Sequence, residues 1–210
     1  MVTKFLKVLK PAWASINDRF LGIKTGFAEQ SFLQPFNKAK HQDSRSYQAV
    51  DYWNIRRVLG AMALSGSDIF YDIGCGKGRV VCCAARGRVK RVVGGIDLNP
   101  LLCEIARKNA KSLRGRESPI EICCEDASVA DVSDGTAYFM FNPFGEATMR
   151  EFLKNIERSL ITNPRAVRLA YCNPVFSDLL DSMAWLARRC ELKNLTGGRA
   201  TIWRSRAEKI

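Results

Sequence analysis

The chain has 210 residues, 47% of them hydrophobic and 26% charged, a composition that fits one domain with a modest extension and excludes a disordered chain. The net charge is +12, and the excess holds everywhere except residues 101–150, where 8 acidic side chains outnumber 6 basic ones; such a chain suits an acidic partner (nucleic acid, an acidic protein, a membrane surface), and equally a merely well-solvated protein. The single histidine, His41, excludes a two- or three-histidine metal site and an HExxH helix, and a Ser-His-Asp hydrolase would lack its GxSxG, so no metal is expected.

Residues 1–9 are basic and partly apolar, but Lys4, Lys7 and Lys10 break the run and no small-residue cleavage site follows, which argues against a cleaved signal peptide. Residues 1–45 read as an N-terminal helical extension or cap, with glycines at 22 and 26 and a polar stretch from 34 to 45 in which His41 reads as solvated. Residues 47–64 follow with a helical pattern that sets Trp53, Val58, Leu59 and Met62 on one face. From residue 67 onward strands and helices alternate. The strands are 68–73, 91–96, 120–124, 137–141 and 166–171; the helices are 79–88, 100–113, 147–161 and 174–186. The longest apolar run, 80–85, falls far short of the ~18 residues of a membrane span. Residues 189–195 and 200–204 flank Thr196-Gly197-Gly198 and read as a hairpin. The pattern predicts an α/β domain over residues 46–210: a doubly wound, mostly parallel sheet with helices on both faces and an antiparallel last strand.

The segment Asp72-Ile73-Gly74-Cys75-Gly76-Lys77-Gly78-Arg79 lies between a predicted strand and a predicted helix, where open parallel sheets bind ligands. A dinucleotide loop wants GxGxxG; here the third glycine comes one residue early and Arg79 takes its slot. A carboxylate ahead of the glycines repels a pyrophosphate and suits a cation, so Asp-x-Gly-x-Gly-x-Gly favours S-adenosylmethionine, which carries an ammonium and a sulfonium and no phosphate. Asp97 ends the second strand about 20 residues on, where a carboxylate can accept both ribose hydroxyls. Glu125-Asp126 follows the third strand, where an acid can accept the adenine amino group. At the end of the fourth strand stands Phe141-Asn142-Pro143-Phe144-Gly145. In isolation Asn-Pro is a turn. Here the Asn142 carbonyl and the Pro143 backbone carbonyl can take hydrogen bonds from a substrate NH, with Phe144 packed on that substrate.

In these segments, DIGCGKGR, GIDLNP, EDA and FNPFG in that order, residues 46–210 resemble the class I S-adenosylmethionine-dependent methyltransferases. The resemblance implies their seven-stranded sheet, and cofactor contacts from Tyr47, Asp72, Gly74, Cys75, Gly76, Gly78, Asp97, Leu98, Asp126, Ala127 and Asn142, with Asn142, Pro143 and Phe144 in the catalytic role. Asn-Pro-Phe is similar to the non-SET lysine methyltransferases and their small bacterial relatives, and also to the amino-methyltransferases of nucleic acids, whose motif is usually Asn-Pro-Pro-aromatic; Phe144 leans toward the first branch. Tyr47 matches a tyrosine that the lysine enzymes place over the cofactor, although the surrounding residues 44–48 depart from their pattern.

The expected reaction is methyl transfer to an amine nitrogen, with a protein lysine as the favoured acceptor and a base amine of RNA or DNA, or a small molecule, as alternatives. Trp13, Phe20, Phe27, Phe32 and Phe36 are candidates for base stacking, or equally for a hydrophobic cap over the cofactor cleft. A non-catalytic binding protein is the third reading, and the intact set Asp72, Asp97, Asp126 and Asn142 argues against it. Eight cysteines without a CxxC read as structural thiols of a reducing, cytoplasmic compartment.

Overall fold

Short β-branched and aromatic runs alternating with amphipathic stretches can bury both kinds of apolar face only by laying helices on a sheet. The computed structural model, which describes residues 2–26, 47–193 and 198–206, shows that solution. The helices are α1 (Val2–Leu21), α2 (Tyr52–Met62), α3 (Arg79–Ala84), α4 (Pro100–Ser112), α5 (Glu146–Thr162) and α6 (Ser177–Ser182). The strands are β1 (Ile69–Ile73), β2 (Arg91–Ile96), β3 (Ile120–Ile122), β4 (Ala137–Phe141), β5 (Arg168–Cys172), β6 (Leu186–Lys193) and β7 (Arg199–Ser205). They form one seven-stranded sheet in the order β3-β2-β1-β4-β5-β7-β6. β7 runs antiparallel to both its neighbours, and the pairs among β1 to β5 are parallel. Among the described residues no helix is long and apolar enough to cross a membrane.

The two-residue period of the strands divides the core into two halves. Phe70, Phe139, Ala170, Cys172, Ala200 and Ile202 face the side covered by α2 and α3. Tyr71, Ile73, Tyr138, Met140, Leu169, Tyr171 and Trp203 face the side covered by α5. Asp72 shares the parity of Phe70 and so points its carboxyl into the first half, under α3. β6 is an edge strand, and its exposed residues Arg188, Arg189 and Glu191 supply the charge that discourages edge pairing.

Several boundaries differ from the sequence expectation, each for a local reason. α2 begins at Tyr52, because the Asp51 carboxylate accepts from the Asn54 N–H (2.9 Å) and caps the helix there. Residues 47–50 therefore stay outside the helix, and Tyr47 packs against the glycine loop. α3 stops at Ala84, followed by a turn at Gly87 and a return bond from Lys90 N–H to the Asp68 carbonyl (2.9 Å). α6 spans only Ser177–Ser182, since Asn173 adopts a left-handed backbone (φ 52°) and delays the helix; β6 then starts at Leu186, inside the stretch expected to be helical. His41, Phe27, Phe32, Phe36, residues 44–46 and the turn residues Thr196 and Gly197 lie outside the described residues.

Candidate active site

The carboxyl ends of β3, β2, β1 and β4 form one edge, and the loop after β1 turns across it. Gly74 N–H donates to the Ile96 carbonyl (2.9 Å), tying that loop to the tip of β2. Two glycines are indispensable here. Gly76 (φ 54°) lies so close to Tyr47 that a Cβ would sit 2.3 Å from the ring. Gly95 (φ 62°) forms a bulge between Val93 and Ile96, and a Cβ there would sit 1.7 Å from the Cys75 sulfur.

Two of the three strand-tip acids converge. Asp72 is 3% exposed; its carboxylate accepts from the Val81 N–H, and its Oδ2 is buried with no hydrogen-bond partner. Burial first, and the nearby Asp97 charge second, push its pKa up to about 8. Asp97 accepts from Gly76 N–H through Oδ2 and from Asn99 N–H through Oδ1, both at 2.9 Å. Burial raises its pKa as well, and those two bonds oppose the rise. It thus braces the glycine loop while presenting a carboxylate beside it; Leu98, the next residue, is half-buried. Asn99 then caps α4, accepting from Leu101 N–H (3.0 Å), with Pro100 opening the helix. Asp126 lies beyond β3, two strands from β1, and accepts from Ser128 N–H (2.8 Å) and Ser128 Oγ (2.7 Å); Ala127 is buried. The Cys75 thiol is buried, and burial followed by the Asp97 and Asp72 charges raises its pKa, so it packs as a neutral thiol.

At the tip of β4, Asn142 takes a left-handed backbone (φ 43°), and its Oδ1 is buried without a hydrogen-bond partner. Pro143 crosses under the loop, where a Cβ on Gly74 would meet its Cβ at 2.9 Å. Phe144 departs from the sequence expectation. Its ring is 8% exposed and packs edge-on against Phe152 (6.2 Å between centroids), under α5, so it anchors the loop rather than offering a face to substrate.

Sequence reasoning missed what holds the loop from the other side. The Arg79 guanidinium is buried; it donates to Thr25 Oγ1 (2.6 Å) and the Val50 carbonyl (2.9 Å), lies 3.6 Å from Asp18 and stacks over Tyr52. Asp18, near the end of α1, accepts from Thr25 N–H (2.6 Å), Thr25 Oγ1 (2.7 Å) and the Tyr52 hydroxyl. The Tyr47 hydroxyl donates to the Thr25 carbonyl (2.9 Å), and Lys77 Nζ lies over the Tyr47 ring and donates to the Gly26 carbonyl (2.8 Å). One signal was available: Arg79 occupies the slot where a dinucleotide loop keeps a glycine, and it does so to bind residues 18 and 25. Trp13 and Phe20 are exposed and do not cap the cleft.

Residues 70–163 match the family model described as a methyltransferase domain. Residues 70–163 thus carry a methyltransferase domain, of the kind whose solved structures bind S-adenosylmethionine or its product. An RNA methyltransferase from Salinibacter ruber, solved with S-adenosylhomocysteine, superposes on this methyltransferase domain with a TM-score of 0.59 at 25% identity, over 78% of this chain and 96% of that one. A SAM-dependent methyltransferase from Aquifex aeolicus shares the fold, at a TM-score of 0.56 and 13% identity over 72% of this chain and 89% of that one. In sequence, a protein-lysine N-methyltransferase of Saccharolobus islandicus (strain REY15A) is 33% identical over 90 residues, which is 41% of this chain. The chain spans about half the length of that curated relative (53%). The methyltransferase site fits its cofactor on its own chemistry. Asp72 Oδ2 is a buried acceptor with no donor inside the protein, and a carboxyl with a raised pKa gains most from a positive ligand.

Proposed function

We propose that this chain transfers a methyl group from S-adenosylmethionine to an amine nitrogen of a protein, of the lysine type. The observation that carries the reading is the pairing of two buried acceptors without donors, Asp72 Oδ2 and Asn142 Oδ1, at the tips of the adjacent strands β1 and β4. When bound, the cofactor supplies an electrophilic sulfonium methyl. Asp97 would hold the ribose hydroxyls, Asp126 the adenine amino group and Asp72 the cationic side, with Gly74, Gly76 and Gly78 letting the backbone approach and Tyr47, Cys75, Leu98 and Ala127 lining the site. The Asn142 amide oxygen and the Pro143 carbonyl accept from the acceptor N–H and so fix the direction of the nitrogen lone pair. A lysine must lose its proton first; burial lowers its pKa, and no histidine is required. Residues 46–210 form the catalytic domain and residues 1–45 its extension. Free thiols at all eight cysteines suit a reducing, cytoplasmic setting.

The lysine-type acceptor is supported by the 33% identity to the Saccharolobus enzyme and by Asn-Pro-Phe at residues 142–144. A second reading, a base amine of RNA, is favoured by the Salinibacter structure and by the net charge of +12. Incubation with methyl-labelled S-adenosylmethionine and a cell lysate separates the two. Label that survives nuclease and is released by protease supports a protein acceptor, label released by nuclease overturns it, and label in no macromolecule overturns macromolecular transfer altogether.

A further inference from the structure

α1 turns an unexpected face to solvent. Ala14, Asn17, Asp18 and Leu21 recur at helical spacing and make the face laid against the domain; Asn17, Asp18 and Leu21 are buried there. The opposite side exposes Trp13 (50%), Ile16 (61%) and Phe20 (64%), again at helical spacing. These are three of the eight large hydrophobic residues exposed among the described residues, and they lie along one helix. The pattern continues in the sequence toward the N-terminus, where Val2, Phe5, Leu6 and Leu9 keep the same spacing and Lys4, Lys7 and Lys10 stand between them.

The charges bordering this face are basic. Residues 1–26 contain five Lys or Arg and one acid, Asp18, which is buried against Arg79. Arg19, Lys24 and Arg114 are exposed, and the Arg86 guanidinium lies over the Phe20 ring (5.4 Å). A 20-residue helix with Trp, Phe and Ile along one side and cations at its borders has the build of a segment that lies in a membrane interface.

We propose that the outward face of α1 docks the protein on an anionic lipid bilayer. Trp13, Ile16 and Phe20 enter the boundary between headgroups and acyl chains, and the flanking lysines and arginines meet lipid phosphates. An RNA duplex offers phosphates to a contact face that is itself cationic, whereas the middle of this face is apolar. A second copy of the chain would bring two basic borders together. An anionic bilayer answers both the apolar centre and the basic rim. The proposal is independent of the methyl acceptor.

The full chain is sedimented with vesicles of phosphatidylcholine alone and of phosphatidylcholine mixed with phosphatidylglycerol. Binding at least ~10-fold tighter to the mixed vesicles, weakened by added salt, is expected. The combined variant Trp13→Ser, Ile16→Ser, Phe20→Ser is expected to lose at least ~10-fold of that affinity while keeping the wild-type melting temperature and affinity for S-adenosylmethionine, since the three side chains lie outside the core. No binding to the anionic vesicles, equal binding by the variant, or a face that instead mediates self-association or RNA retention overturns the proposal.

Discussion

β4 ends in Phe141-Asn142-Pro143 and β5 in Cys172-Asn173-Pro174, and Phe141 faces Cys172 across the ladder, so the two tips are neighbours. Both asparagines adopt the left-handed backbone, at φ 43° and 52°. Their surroundings diverge. Asn173 is exposed, and its backbone N–H is spent on the Arg199 carbonyl (2.8 Å) of the antiparallel strand β7. Asn142 stands next to β1, where the chain offers a glycine loop instead of another strand, and its amide oxygen is buried without a partner. The same dipeptide in the same backbone shape is a turn beside β7 and a candidate substrate clamp beside the glycine loop. What decides between them is the strand next door, because burial without a partner is costly unless a ligand supplies the donor.

The sharpest way to break this contrast is to truncate each asparagine in turn. Asn142→Ala is expected to lower the rate of methyl transfer by at least ~100-fold while affinity for S-adenosylmethionine stays within ~3-fold, and Asn173→Ala to change both by less than ~3-fold. Initial rates with labelled cofactor, together with calorimetric titration, check both. Equal losses at the two positions would mean that both asparagines serve the backbone alone.

The second contrast is one of charge. The Asp72 carboxyl titrates near 3.8 when unperturbed and at about 8 in the fold. Between those values the folded protein keeps a proton that the unfolded chain has lost, so this group makes the unliganded fold less stable as pH rises from about 4 to about 8. A cationic ligand prefers the carboxylate, so affinity for S-adenosylmethionine should rise over the same window, by up to ~10-fold per pH unit, and level off above about pH 8. Asp72→Asn should flatten both profiles in melting and titration experiments across that range. A pH-independent affinity in the wild type would separate Asp72 from the cofactor.

The divided legibility of the sequence follows the same line. The strands β1, β2 and β4 and the glycine loop were readable because each carries its own local signature: a short apolar run, a Gly-rich turn, an acid or an Asn-Pro at the tip. The left-handed Asn173 and its pairing with Arg199 were not, since nothing local says that α6 waits until Ser177 or that β6 begins at Leu186. Phe144 was misread for a related reason: its place under α5 is set by Phe152, eight residues on, and not by the motif it belongs to. Of the Asp18–Thr25–Arg79 cluster only Arg79 left a mark in the sequence, by standing in a glycine's slot; the members are 7 and 54 residues apart along the chain, and neither Asp18 nor Thr25 belongs to a recurrent pattern. Local codes report the cofactor edge of the sheet, and the contacts that stiffen that edge are long-range.

The smallest effect expected is also the one that tests what the left-handed backbone costs. Glycine adopts that conformation freely and asparagine does so with modest strain, so Asn173→Gly should raise stability slightly, by up to ~1 kcal/mol, without affecting activity. Asn142→Gly relieves the same strain and also removes a buried amide oxygen that lacks a partner, a group that costs ~1–3 kcal/mol in the unliganded fold. It should therefore stabilise at least as much as Asn173→Gly, and at the expense of methyl transfer, as expected where a fold carries strain for function. Urea unfolding of the two variants without cofactor gives the comparison. If Asn142→Gly instead lowers stability by more than ~1 kcal/mol, the amide is a structural cap on its own loop, and β4 and β5 end in two versions of the same turn.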